Sequence, residues 1–118
     1  VKKQLERLYK TKVIPCKTIR DRNNVALSSR NLLLNKSSLM IAAKIYKKLV
    51  EIKKKIKNKR NVSSFLKLQK KELKNNYKIK IDYLELRNIK NLKLSNTKNN
   101  SRLFIAYYLK NVRLIDNL

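Results

Sequence analysis

Apolar positions in the first two thirds of the chain recur at intervals of three and four residues; from Lys78 onward they gather in short β-branched and aromatic runs. The first pattern predicts helices and the second strands. Val1, Leu5 and Leu8 stand near helical spacing over Val1–Lys12. Lys12–Ile14 reads as a short strand stopped by Pro15, which has no N–H to donate. Thr18–Ala26 is polar and loop-like, with a turn at Asn23-Asn24, because Asn tolerates positive φ. Asn35 is a good N-cap for a helix over Lys36–Lys59. Its apolar stripe is read as Leu39, Ala42, Ala43, Tyr46, Leu49, Val50 and Ile56, and its other face is lysine. Ser63 or Ser64 starts a second, shorter helix that packs Phe65, Leu66, Leu68 and Leu73 and ends in the Lys and Asn residues beyond.

The period then changes. Lys78–Arg87 carries Ile79, Ile81, Tyr83, Leu84 and Leu86 and reads as a strand. Leu92–Leu94 is a candidate short edge strand, and Asn96–Ser101 a polar loop. Leu103–Leu109 is apolar on both faces, which suits a central, covered strand. Lys110-Asn111 suits a tight hairpin turn with Asn at positive φ, and Val112–Ile115 returns as the partner. Helices followed by a small three-stranded antiparallel sheet make the fold class α+β. No repeat and no low-complexity linker interrupts the chain.

Composition complicates this picture. Among 118 residues there are 32 Lys and Arg against 7 Asp and Glu, a net charge of +25. Such a balance favours phosphate-rich partners, and a small, highly basic nucleic-acid-binding protein of the ribosome-associated kind is one reading. Yet Gly is absent, Pro occurs once, and Lys, Asn and Ile are abundant, a bias that A/T-rich codons produce in any protein. The aromatic residues sit inside apolar runs rather than beside Gly-rich turns, so nucleic-acid contact is expected to be nonspecific only. With no His and a single Cys, zinc sites, Ser-His-Asp and Cys-His catalysis and an internal disulfide are excluded. Cys16 is expected to be a buried small hydrophobe. No run of 18 apolar residues and no signal peptide is present, which makes the cytoplasm the expected location and a membrane partner unexpected.

One stretch carries chemistry. Ala26-Leu27-Ser28-Ser29-Arg30-Asn31 sets two small hydroxyls, a guanidinium and an amide in a row, ahead of an apolar run that opens a helix. Hydroxyls and backbone N–H groups can wrap phosphate oxygens, and Arg adds a rigid two-pronged donor. The same serines also suit helix capping or a turn.

Three stretches taken together resemble the pantoate–β-alanine ligase (pantothenate synthetase) family. The first is Thr18-Ile19-Arg20-Asp21-Arg22-Asn23-Asn24-Val25-Ala26-Leu27-Ser28-Ser29-Arg30-Asn31, followed by Leu33-Leu34, against a pattern like TVR-x-x-DGLALSSRN-x-YL. The second is Asp82-Tyr83-Leu84-Glu85-Leu86, similar to a DYLEL or DYLEV strand. The third is Val112-Arg113-Leu114-Ile115-Asp116-Asn117-Leu118, similar to a closing TRLIDN. Order and spacing agree over nearly the whole chain.

The resemblance implies an ATP- and Mg²⁺-dependent condensation of pantoate with β-alanine through pantoyl-adenylate, releasing AMP and pyrophosphate, in an enzyme that works as a homodimer. It implies that residues 1–16 are the last helix and strand of a Rossmann-like ATP-binding domain and residues 17–118 the C-terminal lid. Leu27, Ser28, Ser29 and Arg30 match the loop that holds the ATP phosphates, and Ile19 matches a Val whose backbone contacts adenine. Departures are Asn23-Asn24 for Asp-Gly, Lys17 for Pro, and Lys110-Asn111 where a Gly precedes the closing strand. The family's His-x-Gly-His motif, Gln-Lys-Asp loop and pantoate-binding glutamines are missing. The chain alone is therefore expected not to catalyse; ATP, pantoate and β-alanine would be bound together with the missing N-terminal domain.

Overall fold

Asn35 begins the longest helix: its backbone is extended and its side chain accepts a hydrogen bond from Ser38 N at 2.9 Å. In the computed structural model, which describes residues 2–118, the elements run α1 (Lys2–Tyr9), a 3-10 turn (Ser29–Leu33), α2 (Lys36–Ile56), α3 (Val62–Tyr77), β1 (Lys80–Asn88), β2 (Ser101–Leu109) and β3 (Val112–Asn117). The three strands form one antiparallel sheet in the order β1-β2-β3, so the α+β expectation holds and β2 is central.

The core lies between α2, α3 and one face of this sheet. On α2 the buried positions are Ser38, Ala42, Ile45, Leu49, Ile52 and Ile56, spaced four and three apart. The stripe read from the sequence is rotated from this one. It omits Ile45 and Ile52, both 0% exposed, and includes Leu39, Ala43, Tyr46 and Val50, which are only half-buried. Two adjacent apolar stripes run along α2, and periodicity alone does not say which of them meets a sheet. After Ile56 only polar residues follow before Asn61, so α2 stops there and not at Lys59.

Asn61, not a serine, caps α3, accepting from Ser64 N at 3.0 Å; Ser63 and Ser64 lie inside the first turn. The helix continues past Leu73 to Tyr77, where Lys78 turns left-handed (φ 51°, ψ 46°) and donates its N–H to Lys74 O. Its buried face is Val62, Leu66, Gln69 and Leu73; Leu68 points to solvent, 55% exposed.

On β2 the residues Leu103, Ile105, Tyr107 and Leu109 meet the helices, while Phe104 and Tyr108 on the other face are half-buried, so the strand is central but its outer face lacks a helical layer. A bulge between Ile81 and Tyr83 keeps β1 in phase: Ile81, Leu84 and Leu86 oppose Tyr107, Ile105 and Leu103. Leu92–Leu94 is not a strand. It makes a single bridge, Arg87 with Leu94, because Leu92 takes positive φ (60°) and breaks the extended run.

The β2–β3 hairpin closes over Lys110-Asn111 as expected, but Lys110 takes the positive φ (53°), not Asn111. Asn24 does take it (64°). Residues 10–19 have no regular structure, so the strand expected at Lys12–Ile14 is absent, and Cys16, expected to be buried, is exposed. Among the described residues no helix is long and apolar enough to cross a membrane.

Candidate functional site

Two consecutive turns build the site. Asp21 organises the first: its Oδ1 accepts from Asn23 N (2.8 Å) and Val25 N (3.0 Å), while its backbone exchanges bonds with Val25 and Asn24. Val25, 6% exposed, anchors the turn tip in the core. Arg20 and Ala26 then bridge antiparallel, and Leu27 N donates to Ile19 O at 3.0 Å. The second turn is capped by Ser28, whose Oγ accepts from Arg30 N at 3.2 Å, and is tied back by Asn31 Nδ2 to Ala26 O at 3.0 Å. The apolar pair Leu32-Leu33 is exposed and lies within this 3-10 turn, not in α2.

Arg20 fastens both turns to the far end of the chain. Its Nη1 and Nη2 donate to the two carboxylate oxygens of Asp116 at 2.7 and 2.8 Å, a bidentate pair whose side chains are 16% and 10% exposed. The guanidinium also donates to Asn24 O (3.1 Å) and lies 4.4 Å from the ring centroid of Tyr46 on α2. The hydrogen bond to Asp116 raises the Arg20 pKa above its ordinary value, against the lowering effect of partial burial. Residues 96 positions apart are thus locked into one unit.

Beside this clamp opens a cleft of about 500 Å³. Leu27, Ser28, Arg30 and Asn31 form one wall, the β3 segment Arg113–Asn117 another, and Tyr46, Tyr83 and Tyr107 contribute phenol rings. Arg30 makes no salt bridge among the described residues, so its charge is available to a ligand. Arg113 donates to Asp82 Oδ2 at 2.9 Å, which raises its pKa. Burial pushes the Tyr107 phenol above its usual range, keeping it protonated. The unpaired guanidinium of Arg30, with the Ser28 hydroxyl and the phenols beside it, suits an anionic ligand.

Of the expected site residues, Leu27, Ser28 and Arg30 line this cleft. Ser29 and Ile19 do not; Ile19 is exposed, its carbonyl engaged by Leu27 N.

The model of a known family, described as Pantoate-beta-alanine ligase, matches residues 2–118. The chain belongs to this family. Pantothenate synthetase of Flavobacterium psychrophilum is 34% identical over 92% of the chain and 39% of its own length, and that of Ruthia magnifica 38% identical over 85% and 36%. Among solved structures, pantothenate synthetase from Thermus thermophilus shares the fold, with a TM-score of 0.81 at 24% identity over 98% of this chain and 43% of that one. Pantoate-beta-alanine ligase from Francisella tularensis, solved with beta-gamma ATP and beta-alanine, has a TM-score of 0.64 at 33% identity over 98% and 37%. The chain therefore spans about two fifths of the length of the ligases it matches.

Within the pantoate–β-alanine ligase pattern, sequence reasoning missed the Arg20–Asp116 clamp and the roles of Tyr46 and Arg113. Part of the signal was present: a lone Asp in the closing stretch and three Arg, Arg20, Arg22 and Arg30, in the first matched stretch. Only the fold shows which Arg meets the Asp.

Proposed function

We propose that residues 17–118 are the C-terminal, phosphate-binding lid domain of a cytoplasmic, homodimeric pantoate–β-alanine ligase, and that residues 1–16 are the end of its ATP-binding Rossmann-like domain. The reaction is the ATP-dependent joining of pantoate to β-alanine through pantoyl-adenylate, with release of AMP and pyrophosphate. The observation that carries this reading is the clamp: it brings the two most distinctive family stretches together and leaves Leu27, Ser28 and Arg30 on the wall of one cleft.

In this reading Ser28 and Ser29 offer hydroxyl and N–H donors to phosphate oxygens, and Arg30 offsets the charge that builds on the departing pyrophosphate. The Ile19 backbone lies at the adenine end. The exposed apolar residues of α1, Leu5, Leu8 and Tyr9, support its membership of an upstream domain, since α1 buries nothing against the rest of the chain. Mg²⁺, which the reaction class implies, finds no donor set here. Asp116 is the one carboxylate on the cleft wall, Arg20 occupies both its oxygens, and no cluster of three metal-binding side chains exists among the described residues. No step is therefore assigned to a metal held by this chain.

The test is reconstitution. The chain, ¹⁵N-labelled and mixed with the N-terminal domain of a relative, is titrated with ATP. Amide shifts clustered at Ile19 and Leu27–Arg30, with pantoate- and β-alanine-dependent AMP release that Arg30→Ala reduces about 10²-fold, are expected. Shifts spread evenly over the lysine-rich helices, with no AMP release, would sink the reading.

A further inference from the structure

A second groove, of about 450 Å³, lies between α3 and the free edge of β1. Five consecutive residues of that edge, Asp82–Leu86, line it; Leu66 and Leu94 supply further apolar surface, and Lys67 and Lys70 overhang it from α3.

The upper half of this edge is already paired. Ser95 N donates to Leu86 O at 2.8 Å and Asn88 N to Lys93 O at 2.9 Å, so the chain's own segment 93–95 lies antiparallel on β1. Below that point the segment turns away and the edge continues bare. In an antiparallel ladder outward-facing residues alternate, so the backbone groups of Leu84 and the N–H of Leu86 face the groove. Among the described residues no loop or cap hydrogen bond reaches them. Lys70 Nζ bonds Asp82 O at 2.7 Å, marking where the open row ends.

We propose that this groove is a docking site for an extended acidic peptide that adds a fourth strand to β1. Backbone pairing with Leu84 and Leu86 supplies register; one face of the added strand turns carboxylates to Lys67 and Lys70 on α3, and the other turns apolar side chains toward Leu94, on the opposite face of the sheet. The two acidic residues on the groove wall do not oppose this, since Asp82 is bonded to Arg113 and Glu85 to Arg87. Charge decides the occupant. A second copy of the chain would bring another +25 and set these lysines against their own counterparts, whereas an acidic strand is attracted. The proposal is independent of the ligase reading.

The probe is a capped octapeptide alternating glutamate and valine, with two controls: lysine in place of glutamate, and proline at the two central positions. The ¹⁵N-labelled chain is titrated in 150 mM salt, near physiological ionic strength. The glutamate peptide is expected to slow amide exchange of Leu84 and Leu86 at least about tenfold, with Lys67→Glu weakening its binding by a similar factor and leaving the melting temperature unchanged. Lys67 is exposed and makes no ion pair among the described residues, so its replacement removes no packing contact. Three outcomes overturn the proposal: equal binding of the proline control, shifts scattered over the lysine faces, or Leu84 protection that rises with protein concentration without peptide.

Discussion

The Arg20–Asp116 pair carries the largest electrostatic prediction. Two unit charges about 4 Å apart in a partly buried setting attract by about 4 kcal/mol before desolvation is subtracted. Both side chains are mostly withdrawn from water, and both guanidinium–carboxylate bonds are short. Removing one partner also leaves the other incompletely bonded, so Arg20→Gln and Asp116→Asn are each expected to cost about 2–3 kcal/mol. In the double variant the second loss is largely already incurred, which gives a coupling energy of about 1.5–2 kcal/mol. The comparison pair is Lys48–Glu51 on α2, with side chains 33% and 56% exposed, whose coupling is expected at about 0.3 kcal/mol and at nothing in 1 M salt. Urea unfolding of the four proteins in each cycle, at low and high salt, measures both. An Arg20–Asp116 coupling below about 0.5 kcal/mol would refute the view that this clamp, and not general packing, joins the loop to the closing strand.

Other expectations follow from single residues. Lys78 and Lys110 hold positive φ (51° and 53°) that costs a residue with Cβ about 1 kcal/mol, so Lys78→Gly and Lys110→Gly are expected to raise stability by about 0.5–1 kcal/mol each in urea unfolding. Ile45→Ala, at a fully buried position, is expected to lose about 3 kcal/mol, while Leu68→Ala stays within about 0.5 kcal/mol; the reverse order would show that α3 or α2 is rotated from the orientation described. The Tyr107 phenol has a raised pKa in the folded state, so its contribution is fully present below pH 10.0, the ordinary value, and is lost as pH rises through the folded value. Melting temperatures between pH 9 and 11.5, within the range where Tyr ionises, are therefore expected to fall more steeply for the native chain than for Tyr107→Phe.

Much of this molecule was legible residue by residue. The switch from three-and-four spacing to β-branched runs at Lys78 determined the class and the order of elements. Asn35 announced α2, because a cap acts within one turn, and the phosphate-friendly stretch at Leu27–Arg30 stood out by its chemistry. Local interactions fix such features, so a local reading finds them. Tertiary structure decided the rest. Which of two stripes on α2 is buried depends on where the sheet lies, and that is how Ile45 and Ile52 escaped notice. Lys110 took the positive φ that Asn111 was suited to, because the pairing of Leu109 with Val112 set the turn and outweighed a preference of about 1 kcal/mol. The clamp joins residues 96 apart, and no window along the chain contains both. Its existence, and with it the cleft that gathers Ser28 and Arg30 beside Arg113, follows from folding the closing strand against the loop: a chain can list its charges in order, but only packing brings two of them within 2.7 Å.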